Sequence, residues 1–443
     1  MFSVSRSVGA AQGEVSMPAS ESIFSADTEG GTPTAYAVPS GASREEILAH
    51  LPAIVAEIAQ GAAERERRRE LPFPIFERLR QTGLTWLRIP KSLGGPGGSL
   101  SDQIEVTCAL ASADSSVAHA LRSHFGFLES IALAPESKAA RRYAPLILRG
   151  ALMGGAHMEI NTPRPNMLRT RLTRKGDRYR LSGHKYYATG AAYADYTSFT
   201  ALNDEGKIAS VLVPAHREGV NILDDWDGMG QRMSASGSVE LADVDVAPEE
   251  IGAHGFFEHG DSTAGFIQRH GATRAQLHLM AVVCGIVRNI QRDAIDYVTK
   301  RARSAKHSAS ETARGDHFVQ SIVGEIAALS HAVDVLVAST ARSLDVSAQA
   351  ILDRAVNLDD IVLKSQIENS KTQIVVGRLA IQAAEKIFDT GGGSATSQKN
   401  NFDRHWRNIR TLLNHNPAFL RGRVLGDYYL NGVRDDFDEG RVF

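Results

Sequence analysis

Cysteine and net charge are scarce in this 443-residue chain, and each shortage excludes something. Two cysteines, Cys108 and Cys284, cannot build a disulfide framework or a thiolate metal centre; each lies in an apolar helical pattern and reads as core filler. Lys and Arg total 49 against 51 Asp and Glu, so the formal charge of −2 offers no footprint for nucleic acid or an anionic membrane. The longest apolar stretch, LHLMAVVCGIV from Leu277, is too short to span a bilayer and contains His278. Neither a GxGxxG after a strand nor a Walker sequence occurs, so a resident NAD(P)H domain is not indicated. An apolar signal region is missing from residues 1–40, which are rich in Ser, Ala, Gly and Thr and carry several acids; this segment is expected to be a disordered tail on a cytoplasmic protein.

What remains is enough for a large core, since 43% of the residues are hydrophobic. The hydrophobic period divides the chain in three. From Ser43, which forms a capping box with Glu46, residues 41–150 read as mainly helical, and the run ERERRRE at Glu64 reads as a solvated face. Residues 151–261 carry short Val-, Tyr- and Thr-rich segments between Gly, Asp and Asn turns, which predicts a small β domain. In residues 262–443 three long apolar stripes return, starting at Leu277, Val319 and Leu363; with the helix of FDRHWRNIRTLL they predict a four-helix bundle. The fold class is therefore α+β, ordered helical domain, β domain, helical bundle.

Four motifs carry a family resemblance: GLTWLRIPKSLGGPG at Gly83, LSGHKYYATGAAYADY at Leu181, WDGMGQRMSASGSVELADVDVAP at Trp226 and FDTGGGSATSQ at Phe388. In this order and spacing they resemble the acyl-CoA dehydrogenase superfamily. The ending DRHWRNIRT followed by HNP resembles its flavin-dependent monooxygenase branch, which includes dibenzothiophene monooxygenase and sulfone-metabolism oxidoreductases. That resemblance implies reduced flavin, FMN with FAD as the alternative, delivered by a separate NAD(P)H-dependent flavin reductase. It implies reaction with O2 through a C4a-peroxyflavin, a small organosulfur or aromatic substrate, and a homotetramer with flavin between the β domain and the bundle.

The chemistry of the last motif agrees. An acyl-CoA dehydrogenase needs a carboxylate base, and many members carry a Glu just after this motif, where the chain reads LLNHNPAFL. His415 stands there instead, and an imidazole can settle the protonation of a flavin peroxide that a carboxylate would repel. The resemblance adds His124 of LRSHFGFLES as a second catalytic candidate in the substrate pocket. It places Thr189 of YYATG and Asn161 at the flavin ring, and Arg301, Arg303, Gly392 and Gly393 at the cofactor phosphate, where guanidinium and backbone amides suit an anion. The competing reading of His415 is a helix-end histidine bonded to terminal carbonyls, and that of His124 is a core histidine. One face of the last helix, Phe402, Trp406, Ile409 and Leu413, predicts a buried Trp406, with Asp403 and Arg407 paired at i,i+4. His254, Glu258 and His259 lack metal-ligand spacing, so no metal is expected.

Overall fold

The computed structural model describes residues 41–164, 167–252, 262–415 and 417–438. The expected tail and the His254, Glu258 and His259 segment lie outside them.

Eight helices come first: α1 (Arg44–Leu48), α2 (Leu51–Ala59), α3 (Ala62–Arg68), α4 (Phe73–Thr82), α5 (Leu100–Ala113), α6 (Ser115–Ala120), α7 (Arg122–Leu133) and α8 (Lys138–Ile147). Ser43 caps α1 through the capping box with Glu46. A second box, Ser99 with Asp102, opens α5, whose buried face includes Ile104, Val106, Cys108 and Leu110. Asp114 ends α5 in an extended conformation and caps α6 through its bond to the Ser116 amide. Leu121 then separates α6 from α7.

A seven-stranded sheet follows: β1 (Met153–Ala156), β2 (Arg171–Lys175), β3 (Arg178–Lys185), β4 (Tyr196–Leu202), β5 (Ile208–Pro214), β6 (Val220–Ile222) and β7 (Val239–Val246). Its order is β1-β4-β2-β3-β7-β6, with β5 antiparallel on β4. β1 runs parallel to β4, Met153 opposite Tyr196, while β3 pairs antiparallel with β7 and carries an irregularity between Leu181 and Gly183.

The bundle holds α9 (Ser262–Lys300), α10 (His317–Leu352), α11 (Leu358–Lys386) and α12 (Asp403–His415), followed by α13 (Ala418–Asn431) and α14 (Asp435–Asp438). The core is continuous from α1 to α12, so the helical layers and the sheet share one apolar interior. At Gly285 a Cβ would strike Ala111 Cβ and the Cys108 carbonyl, so α5 and α9 meet backbone to backbone. Both cysteines are buried and free at this crossing.

Glu66 corrects the reading of its charged run as a solvated face. It is 3% exposed and receives Arg407 Nη1 at 2.6 Å and Asn401 Nδ2 at 2.7 Å. Arg407 Nη1 also reaches the Met229 carbonyl at 3.1 Å, and Arg407 pairs with Asp403 at i,i+4 as expected. One guanidinium thus ties α3, the loop before β7 and α12 together. Trp406, by contrast, is 37% exposed and not core, because the inward face of α12 is centred on His405, Asn408, Ile409 and Leu412, which leaves Trp406 at its edge.

Burial opposes ionisation of Glu66, but Arg407 and Asn401 outweigh it and hold the carboxyl below its ordinary range. Glu66→Gln leaves Arg407 half-buried with only the exposed Asp403 as its anion. The expected loss is about 2 kcal/mol or more in a urea titration; a midpoint within error of the parent would show the junction is not anchored there.

Candidate functional site

Loops of the sheet, the α6–α7 break and the end of α12 converge around Arg122, with His119, His157 and His415 close enough to feel its charge or touch it. The close approaches are built into glycines. A Cβ on Gly190, itself at φ +78, would strike the Ala120 carbonyl; one on Gly155 would meet Ser123 Oγ at 3.0 Å and His157 Nε2 at 2.9 Å; one on Gly230 would strike the Arg407 carbonyl. From the loop before β7, the Gln231 backbone N–H donates to Asn408 Oδ1 at 2.6 Å, and its Nε2 donates to Ser115 Oγ at 3.1 Å.

Strain is concentrated here. Among the non-glycine residues with positive φ are Asn161 (+62°), Tyr187 (+60°), Gln231 (+53°) and Ala235 (+48°), all on loops of the β domain. Such conformations cost energy and persist where surrounding contacts over-determine them, as in ligand sites. Tyr187 is half-exposed with Tyr186 and Trp226 packed around it, ring centroids 4.8 and 6.2 Å away.

Thr189 faces a directional hydroxyl chain. Ser234 Oγ donates to the Gln231 carbonyl at 2.7 Å and lies 2.6 Å from Ser236 Oγ, which lies 2.7 Å from Thr189 Oγ1. Each hydroxyl has one proton, so Ser236 donates to Ser234 and Thr189 donates to Ser236. Thr189 Oγ1 keeps its lone pairs for an incoming N–H.

His415 ends α12 and its Nε2 lies 3.3 Å from Arg122 Nη1. A guanidinium can only donate, so this nitrogen accepts and the neutral ring carries its proton on Nδ1. His119 stands in the same group: burial, then Arg122 and His415, push its pKa down to about 3, and its Nδ1 is buried without a hydrogen-bond partner. His157 is exposed at the site; crowding by protein atoms, then Lys185 and Arg122, lowers it to about 4. Its backbone is fixed from behind, since its carbonyl accepts from Lys185 Nζ and Thr200 Oγ1, and Lys185 is paired with Glu159 at 2.7 Å in a buried ion pair.

The arginines and second histidine of the last motif are anchors. Arg404 Nη2 and His405 Nε2 share Asp293 Oδ2 at 2.5 and 2.9 Å, and Arg410 meets Asn414. The Asp293 carboxyl is held below its ordinary range: burial opposes ionisation, but His405 and Arg404 outweigh it.

His124 needs correction. It is 1% exposed, its Nδ1 accepts from the Met153 amide at 3.1 Å and its Nε2 donates to the Thr85 carbonyl at 2.5 Å. Both nitrogens are committed to backbone, so the ring is a clip between α7, β1 and the turn at Thr85 rather than a pocket residue. The break at Leu121 explains the exchange: it presents His119 and Arg122 to the site and sends His124 inward. Sequence reasoning missed His119, Arg122, Gln231 and Ser236; the usable signal was a His and an Arg three apart at the break.

The remaining candidates separate. Asn161 is exposed on the loop after β1 and is held there at positive φ. Arg301 lies over the Tyr297 ring at 5.3 Å and bonds Asn400 Oδ1 at 2.9 Å; Tyr297 Oη reaches Ser394 Oγ at 2.7 Å, and Gly391 packs on the Tyr297 ring. Arg301 and the turn holding Gly392 and Gly393 therefore form one patch, with open space beside both glycines. Arg303 is elsewhere, paired in a β-bridge with Thr312. The patch adjoins the start of α12, and His415 is its last residue. Thirteen residues place these ends roughly 18 Å apart.

With the geometry established, comparison with known proteins places it. Three family models match in order: acyl-CoA dehydrogenase N-terminal domain over 44–151, middle domain over 163–244 and C-terminal domain over 277–418. The chain belongs to the acyl-CoA dehydrogenase family. Within it, the "Probable FMNH2-dependent monooxygenase SfnC" of Pseudomonas putida is 28% identical over 384 residues, 86% of this chain and 94% of that protein. FMN-bound TdsC from Paenibacillus sp. A11-2 superposes with a TM-score of 0.78 at 27% identity, covering 87% of this chain and 98% of that one. The methanesulfinate monooxygenase MsuC from Pseudomonas fluorescens matches with a TM-score of 0.78 at 26% identity, over 87% and 97% of the two chains. These relatives are monooxygenases rather than dehydrogenases, which favours oxygenation as the branch chemistry.

The clip at His124 carries a pH signature. Burial lowers its pKa to about 4, with Thr85 opposing that shift. The unfolded chain protonates near 6.5 while the folded ring stays neutral, so stability falls as pH drops from about 6.5 towards 4. This group contributes up to about 3 kcal/mol of that loss. Thermal midpoints recorded over this window should decline less steeply in His124→Gln than in the parent, and parallel profiles would contradict the assignment.

Proposed function

We propose that the protein is the oxygenase of a two-component system: a monooxygenase that takes reduced FMN from a separate NAD(P)H-dependent reductase and transfers one oxygen atom of O2 to a small organosulfur or aromatic molecule. The observation that carries this reading is the end of α12, where His415 stands beside Arg122 with no unengaged carboxylate beside it among the described residues. The nearby carboxylates are engaged: Glu66 with Arg407, Asp114 with Arg65 and the Ser116 amide, Glu129 with Arg88 and His270, Glu159 with Lys185, Asp293 with Arg404 and His405. Abstraction of an α-proton from a thioester needs such a group.

The chain's residues fit a reduced flavin. Thr189 Oγ1, left as an acceptor by the hydroxyl chain, suits an N–H at the edge of a reduced ring. Bound reduced FMN supplies the electron pair that activates O2. His415, with Nδ1 protonated, holds a proton for the reduced oxygen, and the His119 and His157 rings stay neutral beside it. Oxygen transfer then leaves oxidised FMN, oxygenated product and one water.

The patch of Arg301, Gly392 and Gly393 serves the phosphate of a flavin bound to a neighbouring copy. It adjoins the far end of α12 from His415, too distant to serve the same compact ring site. Copies meet in a homotetramer through α10, which is long and apolar enough to cross a membrane yet only 22% buried over its most apolar window. Phe318, Val335, Val346 and Leu352 are exposed along it, a patch suited to cover by another copy. Sedimentation velocity should show a tetramer and, in Val346→Asp, a smaller species; a parent monomer would refute this arrangement. A cytoplasmic location accompanies the reading, since a reductase there supplies the reduced flavin.

Activity is tested by supplying NADH, FMN and an unrelated flavin reductase under 18O2, with methanesulfinate and dibenzothiophene as separate substrates. Incorporation of one labelled atom per product is expected. His415→Ala should lose about 10²-fold or more of the turnover, the range for a positioned proton-transfer group. Desaturation of an acyl-CoA without label incorporation would overturn the reading.

A further inference from the structure

Two arginines differ from those that hold the fold together. Arg80, Arg88, Arg217, Arg269, Arg404 and Arg407 each grip a carboxylate. Arg122 has none among the described residues: its Nε donates to the Ala275 carbonyl at 3.3 Å, its Nη1 meets His415, and its Nη2 has no bond there. Arg274, 4% exposed, stands behind it on α9, donating Nη2 to the Arg122 carbonyl at 3.3 Å while its Nη1 is buried without a partner.

The surroundings add no negative charge at contact range. His119, His157, His278 and His415 cluster around the two guanidinium groups, and Arg122 disfavours protonation of the first three. Burial pulls Arg122 down to about 10; burial and then Arg122 do the same to Arg274, with only Glu129 opposing, a carboxylate already held by Arg88 and His270. A desolvated cation is costly unless an anion accompanies it. The described residues supply none, so the ligand does.

Three anions compete for the place. The flavin phosphate has its own candidate patch at the opposite end of α12. The neutral hydroxyl chain at Thr189 would hold the flavin ring edge. Arg122 instead lies beside His415 and within electrostatic reach of His157, both exposed to solvent, where a substrate can approach it. Its planar donors match two oxygens on one atom.

We propose that Arg122, positioned and charge-reinforced by Arg274, binds an anionic group on the substrate, so that the substrate is a small organic sulfinate or carboxylate and not a neutral sulfide or sulfone. This rests on the Arg122 surroundings being the oxygenation site proposed above, and narrows its substrate class. His415, sharing Arg122 Nη1, would then stand beside the bound anion.

The test is calorimetric titration of the full-length protein loaded with oxidised FMN. Benzenesulfinate, benzoate and the neutral methyl phenyl sulfone are the probes. The anions should bind about tenfold or more tightly than the sulfone, as one charge-assisted contact implies; whichever anion binds tighter identifies the group. Arg122→Gln should remove that advantage and leave sulfone and FMN affinity unchanged, while Arg122→Lys restores part of it. Equal binding of anion and sulfone by the parent overturns the proposal. So does a loss of FMN affinity in Arg122→Gln, which would place the guanidinium at the flavin, or a uniform loss for all probes. Anion selectivity at Arg122 in a protein whose reduced FMN transfers no oxygen would sink the monooxygenase reading while leaving the anion site standing.

Discussion

The Glu66–Arg407 ion pair is the contact on which the arrangement of the site depends. Glu66 comes from α3, Arg407 from α12, and the same guanidinium holds the Met229 carbonyl at the start of the loop that carries Gln231, Ser234 and Ser236. A buried pair of this kind adds little net stability over apolar packing, but removing one partner is expensive. It therefore acts chiefly as a register, since helical layer, sheet loop and bundle meet in one geometry or strand a charge. Asp293 does the same further along, fixing Arg404 and His405. His415, two to three turns on, inherits its position from these anchors.

Charge is distributed unevenly by design of the packing. Among the described residues, the carboxylates near the site are consumed in structural pairs, which leaves neutral histidines and the guanidinium groups of Arg122 and Arg274 without a carboxylate partner. That distribution disfavours proton abstraction by carboxylate and favours chemistry that generates or binds anions. The positive-φ residues Tyr187, Gln231 and Ala235 are held by the same packing, through bonds such as Gln231 to Asn408 and the serine chain beneath Thr189.

The architecture was legible because periodicity changes where the layers change: 3.6-residue stripes at Leu277 and Val319 became α9 and α10, and the Val- and Tyr-rich segments became the sheet. Family motifs carried the branch, and both the Ser43–Glu46 box and the Asp403–Arg407 pair follow from local spacing alone. The site was less legible. His124 and His119 lie five residues apart on one apparent helix, and only the break at Leu121 decides which faces the site. Glu66 sits in a run of charges that differ only in which side of α3 they occupy, and its partner is 341 positions away. Arg122 has no sequence signature because its significance lies in a missing counter-ion.

The most direct test of the central claim, that this site holds reduced FMN and directs its reaction with oxygen, is rapid mixing. Protein loaded anaerobically with reduced FMN would be mixed with aerated buffer while the flavin spectrum is recorded. The account predicts an absorbing species distinct from both reduced and oxidised FMN that persists before the oxidised spectrum grows in. Single-step oxidation at the rate of free reduced FMN would contradict it.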